Sequence, residues 1–141
     1  MSAGWLSVLT ESGRLLAFRP GCTTAEIEAA EAQLGVTIPA ELASLLRATN
    51  GFTDVGSRFQ YGWPLDIIVI ENQRAWSDAA MPLDDTLLAF GADGAGAWFC
   101  VPTDASDGPI YHWSPVDAEA RRVGTDLRSF WHGWLSGSTK V

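Results

Sequence analysis

Cysteine, histidine and positive charge are all scarce in this 141-residue chain, and each shortage removes a class of function. The two cysteines, Cys22 and Cys100, lie far apart and outside any CxxC pattern. That excludes a disulfide-stapled scaffold and suits a reducing, cytoplasmic setting. Cys100 sits in the apolar run Ala97-Trp98-Phe99-Cys100-Val101, where a buried free thiol is expected. With 9 Lys+Arg against 17 Asp+Glu, the net charge is -8, which repels phosphate backbones and attracts basic proteins. Nucleic acid is therefore not an expected ligand. No apolar stretch approaches the roughly 20 residues of a membrane span. The N-terminus shows no basic segment followed by a long apolar core, so no signal peptide is expected.

Catalytic material is equally thin. His132 falls off the apolar stripe of the last predicted helix and reads as solvated, while His112 shares a predicted strand face with Ile110. No serine stands in a G-x-S-x-G elbow, and neither cysteine carries a nucleophile signature. No catalytic residue, cofactor or metal site is expected.

What the chain has in plenty is material for a core: 47% of its residues are hydrophobic and seven are Trp, so disorder is excluded. A first helix spans about 24–34, opened by the capping-box pair Thr23 and Glu26 and closed at Gly35. Val36-Thr37-Ile38 leads to Pro39, and a second helix runs to about Thr49 with Leu42, Leu45 and Leu46 on one face. Ahead of them, Trp5, Leu6, Val8 and Leu9 suggest a short docked helix. Residues 52–65 have no steady period and read as a loop that is functional or hides a short strand. Residues 66–70 read as a buried strand and 72–78 as a short helix with Trp76 inward. Short strands are expected at 87–90, 97–102, 109–113 and 118–123, joined by turn clusters as an antiparallel meander. Leu127, Phe130, Trp131, Trp134 and Leu135 form one helical stripe, with Thr125 as its N-cap. The expected fold is a single α+β domain over 1–141. A helical hairpin and a C-terminal helix pack on a mainly antiparallel sheet of about five strands.

Three segments invite chemistry and read more simply as turns. Gly91-Ala92-Asp93-Gly94-Ala95-Gly96 has Ala97-Trp98 where a phosphate loop needs Lys-Ser/Thr, so it is a turn between strands. Asp104-Ala105-Ser106-Asp107-Gly108 lacks the glycine and distal Glu of a calcium loop. Asp84-Asp85 are neighbours in a loop, where carboxylates point apart. The remaining candidates are surface residues: Phe52, Phe59, Tyr61 and Trp63 crowd one segment with Asp54 and Asp66 at its edges. Aromatics rimmed by polar groups are the composition of an interface hot spot, although these rings could also simply cover the helices.

These blocks, in this order, resemble the SUKH superfamily of fungal cell-wall assembly regulators and their bacterial relatives. The resemblance rests on Glu26-Ile27 through Leu34-Gly35-Val36-Thr37-Ile38-Pro39 to Asn50-Gly51, on Phe90-Gly91-Ala92-Asp93-Gly94-Ala95-Gly96, and on Pro109-Ile110-Tyr111-His112-Trp113 with the Phe130 and Trp134-Leu135 helix. It spans roughly residues 23–135 and implies an α+β domain with helices on an antiparallel sheet. It also implies an immunity-protein role, in which a cognate toxin domain, often a nuclease, is neutralised by occluding its active face. The expected function is binding of a basic toxin domain through Asp54, Tyr61, Trp63, Asp66, Asp84 and Asp85. A general regulatory interaction module is the alternative. A small-ligand binder or enzyme built on His112 and Asp93 is the third reading, to be marked by a closed polar pocket holding His112 beside a carboxylate.

Overall fold

Antiparallel pairing carries the chain through seven strands laid side by side in sequence order. The computed structural model describes residues 4–78, 80, 83–104 and 108–139. Its elements are α1 (Trp5–Thr10), β1 (Leu16–Phe18), α2 (Thr24–Leu34), α3 (Ala40–Ala48), β2 (Phe52–Asp54), β3 (Gln60–Gly62), α4 (Leu65–Ser77), β4 (Leu87–Ala92), β5 (Trp98–Pro102), β6 (Ile110–Ser114), β7 (Glu119–Gly124) and α5 (Leu127–Ser136). The α+β class and the meander are as expected. The sheet has seven strands where about five were expected, because β1, β2 and β3 are each three residues long. Strands that short carry no alternation to read. The calcium-loop comparison at 104–108 falls partly on 105–107, which lie outside the described residues.

The helical hairpin forms as its caps dictate. Thr23 Oγ1 accepts the Glu26 amide at 3.1 Å and Glu26 Oε1 accepts the Thr23 amide at 2.8 Å, which satisfies two orphaned donors. Gly35 closes α2 in the left-handed region at φ 75°. The link to α3 is held by Glu31, whose Oε2 accepts the Ile38 amide at 2.7 Å. At the other end of the chain Asp126, not Thr125, caps α5, accepting the Ser129 amide at 2.8 Å. Glu41 of α3 takes the Leu127 amide at 2.7 Å, tying the hairpin to the start of α5.

The stripe of α5 is the centre of the core. Phe130 and Trp131 meet Phe90 edge-on at 6.0 and 5.7 Å, and Trp131 meets Phe52 at 4.9 Å. Phe99 lies 4.6 Å from Phe130 and 5.0 Å from Trp134. Full burial of each such ring contributes on the order of 2 kcal/mol. Between β3 and β4 the backbones close in at Gly62 opposite Gly91. A Cβ on Gly91 would stand 2.6 Å from the Tyr61 carbonyl oxygen, so only glycine permits that approach.

One expectation is corrected. Residues 66–70 do not form a strand; they are the first half of the thirteen-residue α4, which also absorbs the expected short helix. The run Ile67-Ile68-Val69-Ile70 looks strand-like because it is β-branched. Burial nevertheless follows a helix: Leu65, Ile68, Val69, Asn72 and Ala75 face inward, and Ile70 is exposed. The helix wins because β3 ends at Gly62 and leaves the adjoining edge of β4 without a partner. Asn72, fully buried, fills that gap. Its Oδ1 accepts the Ala89 amide at 2.8 Å, and its Nδ2 donates to the Ala89 carbonyl at 2.9 Å and to the Ile68 carbonyl at 2.7 Å. One turn on, the Trp76 indole donates to the Leu87 carbonyl at 3.0 Å. No helix among the described residues is long and apolar enough to cross a membrane.

Asn72→Leu therefore strands the buried N–H and C=O of Ala89, while the Ile68 carbonyl keeps its helical bond. It should lower unfolding stability by roughly 3 kcal/mol, measured by urea denaturation. Asn72→Asp keeps the acceptor but sets a carboxylate against two carbonyl oxygens, and should be at least as damaging. Neutrality of both substitutions would refute this role for the side chain.

Candidate functional site

The β2–β3 hairpin, the β4–β5 turn and the C-terminal end of α5 enclose a cleft of about 680 Å³. Its rings are Phe59, Tyr61 and Trp134, and its charged groups are Arg14, Asp54 and Asp93. Each group is placed by a local device that the sequence itself supplies.

Asp54 ends β2 and folds back over the hairpin turn. Its Oδ1 accepts the Gly56 amide at 2.8 Å and the Ser57 amide at 3.4 Å. That leaves Oδ2 turned to the Tyr61 hydroxyl, which donates at 3.3 Å, and to Arg14 Nη1 at 3.8 Å. The Gly56 amide above all, with Ser57, Tyr61 and Arg14, holds the Asp54 pKa below the ordinary aspartate value. Burial raises the Tyr61 pKa, and the Asp54 charge adds to it. Phe59 braces the Tyr61 ring edge-on at 5.0 Å. Arg14 enters from the segment before β1. Its Nε donates to the Leu135 carbonyl at 2.7 Å and its guanidinium lies 5.8 Å from the Tyr61 ring centre.

Asp93 organises the opposite wall. Its Oδ1 accepts the Ala95 amide at 2.7 Å and the Ala97 amide at 3.1 Å, which holds a turn whose Gly94 sits at φ 85°. Its Oδ2 meets His112 Nε2 from β6 at 2.9 Å. The pair is well covered, with side-chain exposures of 7% for Asp93 and 20% for His112. Burial works against ionising Asp93, yet the His112 hydrogen bond and the two amides outweigh it, and the pKa lies below the usual value. With Asp93 ionised, His112 Nε2 must carry the proton it donates. Phe99 lies against the imidazole at 5.6 Å.

The structure brings together two of the six residues expected at a binding surface, Asp54 and Tyr61. Trp63 is as buried as Tyr61, each 8% exposed, but it sets its ring edge-on against Trp98 at 5.0 Å and does not line the cleft. Asp66 is exposed on the first turn of α4 and lines a separate groove with Arg19, Cys22 and Glu26. Asp84 and Asp85 are exposed ahead of β4, where Asp84 accepts the Thr86 amide at 2.9 Å and borders a hollow with Tyr111 and Trp113. Sequence reasoning missed Arg14 and Trp134 as companions of Asp54. Arg14 lay in a stretch with no recognised element, and Trp134 was accounted for by its helical stripe.

No Ser, Thr or Cys among the described residues hydrogen-bonds His112. Both cysteines are buried, and burial pushes the thiol pKa of each upward, most strongly at Cys100. No group of three or more His, Cys, Asp or Glu among the described residues could hold a metal ion. The arrangement can receive a cation against carboxylates and aromatic faces, and it can hold a turn rigid.

The chain belongs to the SMI1/KNR4 family (SUKH-1), which it matches over residues 21–132. No curated protein matches it. The matched span holds Asp54, Tyr61, Asp93 and His112, whereas Arg14 and Trp134 fall outside it.

The depressed Asp93 pKa has a defined consequence for stability. The unfolded carboxyl binds its proton more readily than the folded one, so the Asp93 contribution is fully present above the ordinary aspartate pKa, about 3.9. It is lost as pH falls through the lower folded value. Asp93→Asn should destabilise the protein at neutral pH and flatten the stability profile below about pH 4, read by urea unfolding at successive pH values. An unchanged acid limb in the variant would count against this assignment.

Proposed function

We propose that this chain is a non-catalytic, cytoplasmic immunity-type protein that neutralises a basic toxin domain, such as a nuclease, by covering its active face. The observation that carries the reading is the net charge of -8 on a member of the SMI1/KNR4 family. A basic nuclease holds its positive charge where the phosphate backbone must lie. An anionic domain can occupy that region with its own carboxylates and is drawn to it by the long-range field. Asp66, Asp84 and Asp85 are exposed and free to act in this way, while Asp54 and Tyr61 offer a recessed contact.

His112 lies beside the Asp93 carboxylate, as an enzyme or small-ligand reading requires, but the cleft is lined by Asp93 and not by His112. The geometry of the pair supports a structural role better. Asp93 already holds two turn amides as well as the imidazole, and His112 has no nucleophile to activate.

Co-expression with a basic toxin domain encoded by a neighbouring gene tests the reading. Expected are nanomolar binding, protection of the cell, and an association rate that falls steeply between about 50 mM and 0.5 M salt. Absence of binding and of protection would overturn it. Tight binding that ignores salt would remove charge as the cause.

A further inference from the structure

The geometry points to the Asp54–Trp134 cleft as a receptor for one arginine side chain of a partner protein. This deepens the proposed function, on which it rests for the existence of a partner, by naming the contact. Four observations converge on a guanidinium. The cleft combines two carboxylates, Asp54 and Asp93, with three ring-bearing walls, Phe59, Tyr61 and Trp134. A planar cation that hydrogen-bonds at its edge and stacks on its face matches that combination, whereas an ammonium uses only the charge. The C-terminal end of α5 adds a partial negative charge at the same rim, where Gly137 and Thr139 line the cleft.

The chain also shows how this environment treats a guanidinium, because Arg14 already sits at its edge. Arg14 takes a carbonyl at the α5 terminus, approaches the Asp54 carboxylate and lies over the Tyr61 ring. Arg14 meets the charge of the two carboxylates only in part, since its guanidinium stands 3.8 Å from Asp54 Oδ2, while Asp93 is held by His112 instead. Asp54 Oδ2 has capacity left, since its two contacts are long at 3.3 and 3.8 Å. Phe59 and Trp134, both half-buried, present ring surface that Arg14 does not cover. A volume of about 680 Å³ admits a long side chain with its flanking backbone.

The probe is an acetylated Gly-Arg-Gly amide titrated into the full-length protein, followed by backbone-amide and indole NMR shifts. Matching Gly-Lys-Gly and Gly-Glu-Gly peptides serve as comparisons. Shifts should concentrate on Gly94, Phe59, Tyr61 and the Trp134 indole, with the arginine peptide binding more tightly than the lysine peptide and the glutamate peptide not at all. Asp54→Asn keeps the turn-capping oxygen and should weaken arginine-peptide binding about tenfold. The control, Asp104→Asn with Asp117→Asn, removes more charge from exposed positions outside the cleft and should change it less than about twofold. Phe59→Leu, which keeps the wall apolar but removes its ring, should erase the preference for arginine over lysine. Shifts scattered over the acidic surface, equal losses in the two aspartate variants, equal affinity for lysine, or no binding would each overturn the inference. A basic toxin domain that binds normally to Asp54→Asn would sink this contact and leave the proposed function standing. Seated peptide with no basic partner neutralised would do the reverse.

Discussion

The amide of Asn72 does the work of a missing strand. β3 pairs with β4 around Gly62 and Gly91 and then stops, so Ala89 would otherwise bury an unpaired N–H and C=O. Asn72 carries both a donor and an acceptor in its carboxamide, and it supplies the two to the same residue from outside the sheet. Its backbone must therefore lie beside β4, which forces residues 65–77 into a helix running along that edge. Everything between depends on this placement. Pro64 must start the helix directly after the hairpin, and Asn50 Oδ1 receives the Leu65 amide at 2.7 Å to make that start possible. The hairpin carrying Asp54, Phe59 and Tyr61 is thus held at both ends, by its pairing with β1 and β4 and by the helix that follows it.

The second wall of the cleft is set by a different force. α5 has no side-chain bond into the sheet comparable to Asn72; it is seated by Phe130 and Trp131 against Phe52, Phe90 and Phe99. Burial of rings is not directional, but their shapes interlock, so the helix has little freedom to slide. Its last turn then presents Trp134 and the Leu135 carbonyl to Arg14. A core interaction and a surface site are joined in one ten-residue element, which is why Phe99 touches both Trp134 and His112. Changes to that ring would disturb the cleft and the Asp93 turn together.

Legibility followed the range of each interaction. The capping box of α2, the leucine face of α3, the ring stripe of α5 and the four strands from β4 to β7 all rest on neighbours within a few residues, and all were readable. α4 was not, because its decisive residue is a polar one whose partner stands 17 positions away. With Asn72 taken as ordinary, the β-branched run before it looks like a strand. The three-residue strands β1, β2 and β3 hold no pattern of their own and exist because neighbours complete them. At the site, the composition of the hairpin pointed to Asp54 and Tyr61, since an aromatic crowd beside carboxylates is visible in sequence. It also pointed to Trp63, whose ring packs against Trp98 and does not line the cleft. Arg14 and Trp134 belong to the cleft only through folding, 40 residues before and 80 after Asp54, so no local signal could have joined them.

The two carboxylates of the cleft each serve a turn as well as a surface, and this bears on what the site can do. Asp54 closes the β2–β3 hairpin and Asp93 closes the β4–β5 turn, both through backbone amides. Such bonds fix the carboxylate orientation before any partner arrives, so less ordering entropy is lost on contact than with a mobile surface side chain. They also lower the pKa values, so the negative charge persists at neutral pH despite partial burial. A general acid or base needs a proton held loosely near the working pH, and these carboxylates are held far from that condition. The same hydrogen bonds that stabilise the two turns thus bias the site toward recognition and away from proton transfer. Exposed Asp84 and Asp85 carry equal charge without such fixing of the cleft's rings around them, which makes them suited to long-range attraction and Asp54 to contact.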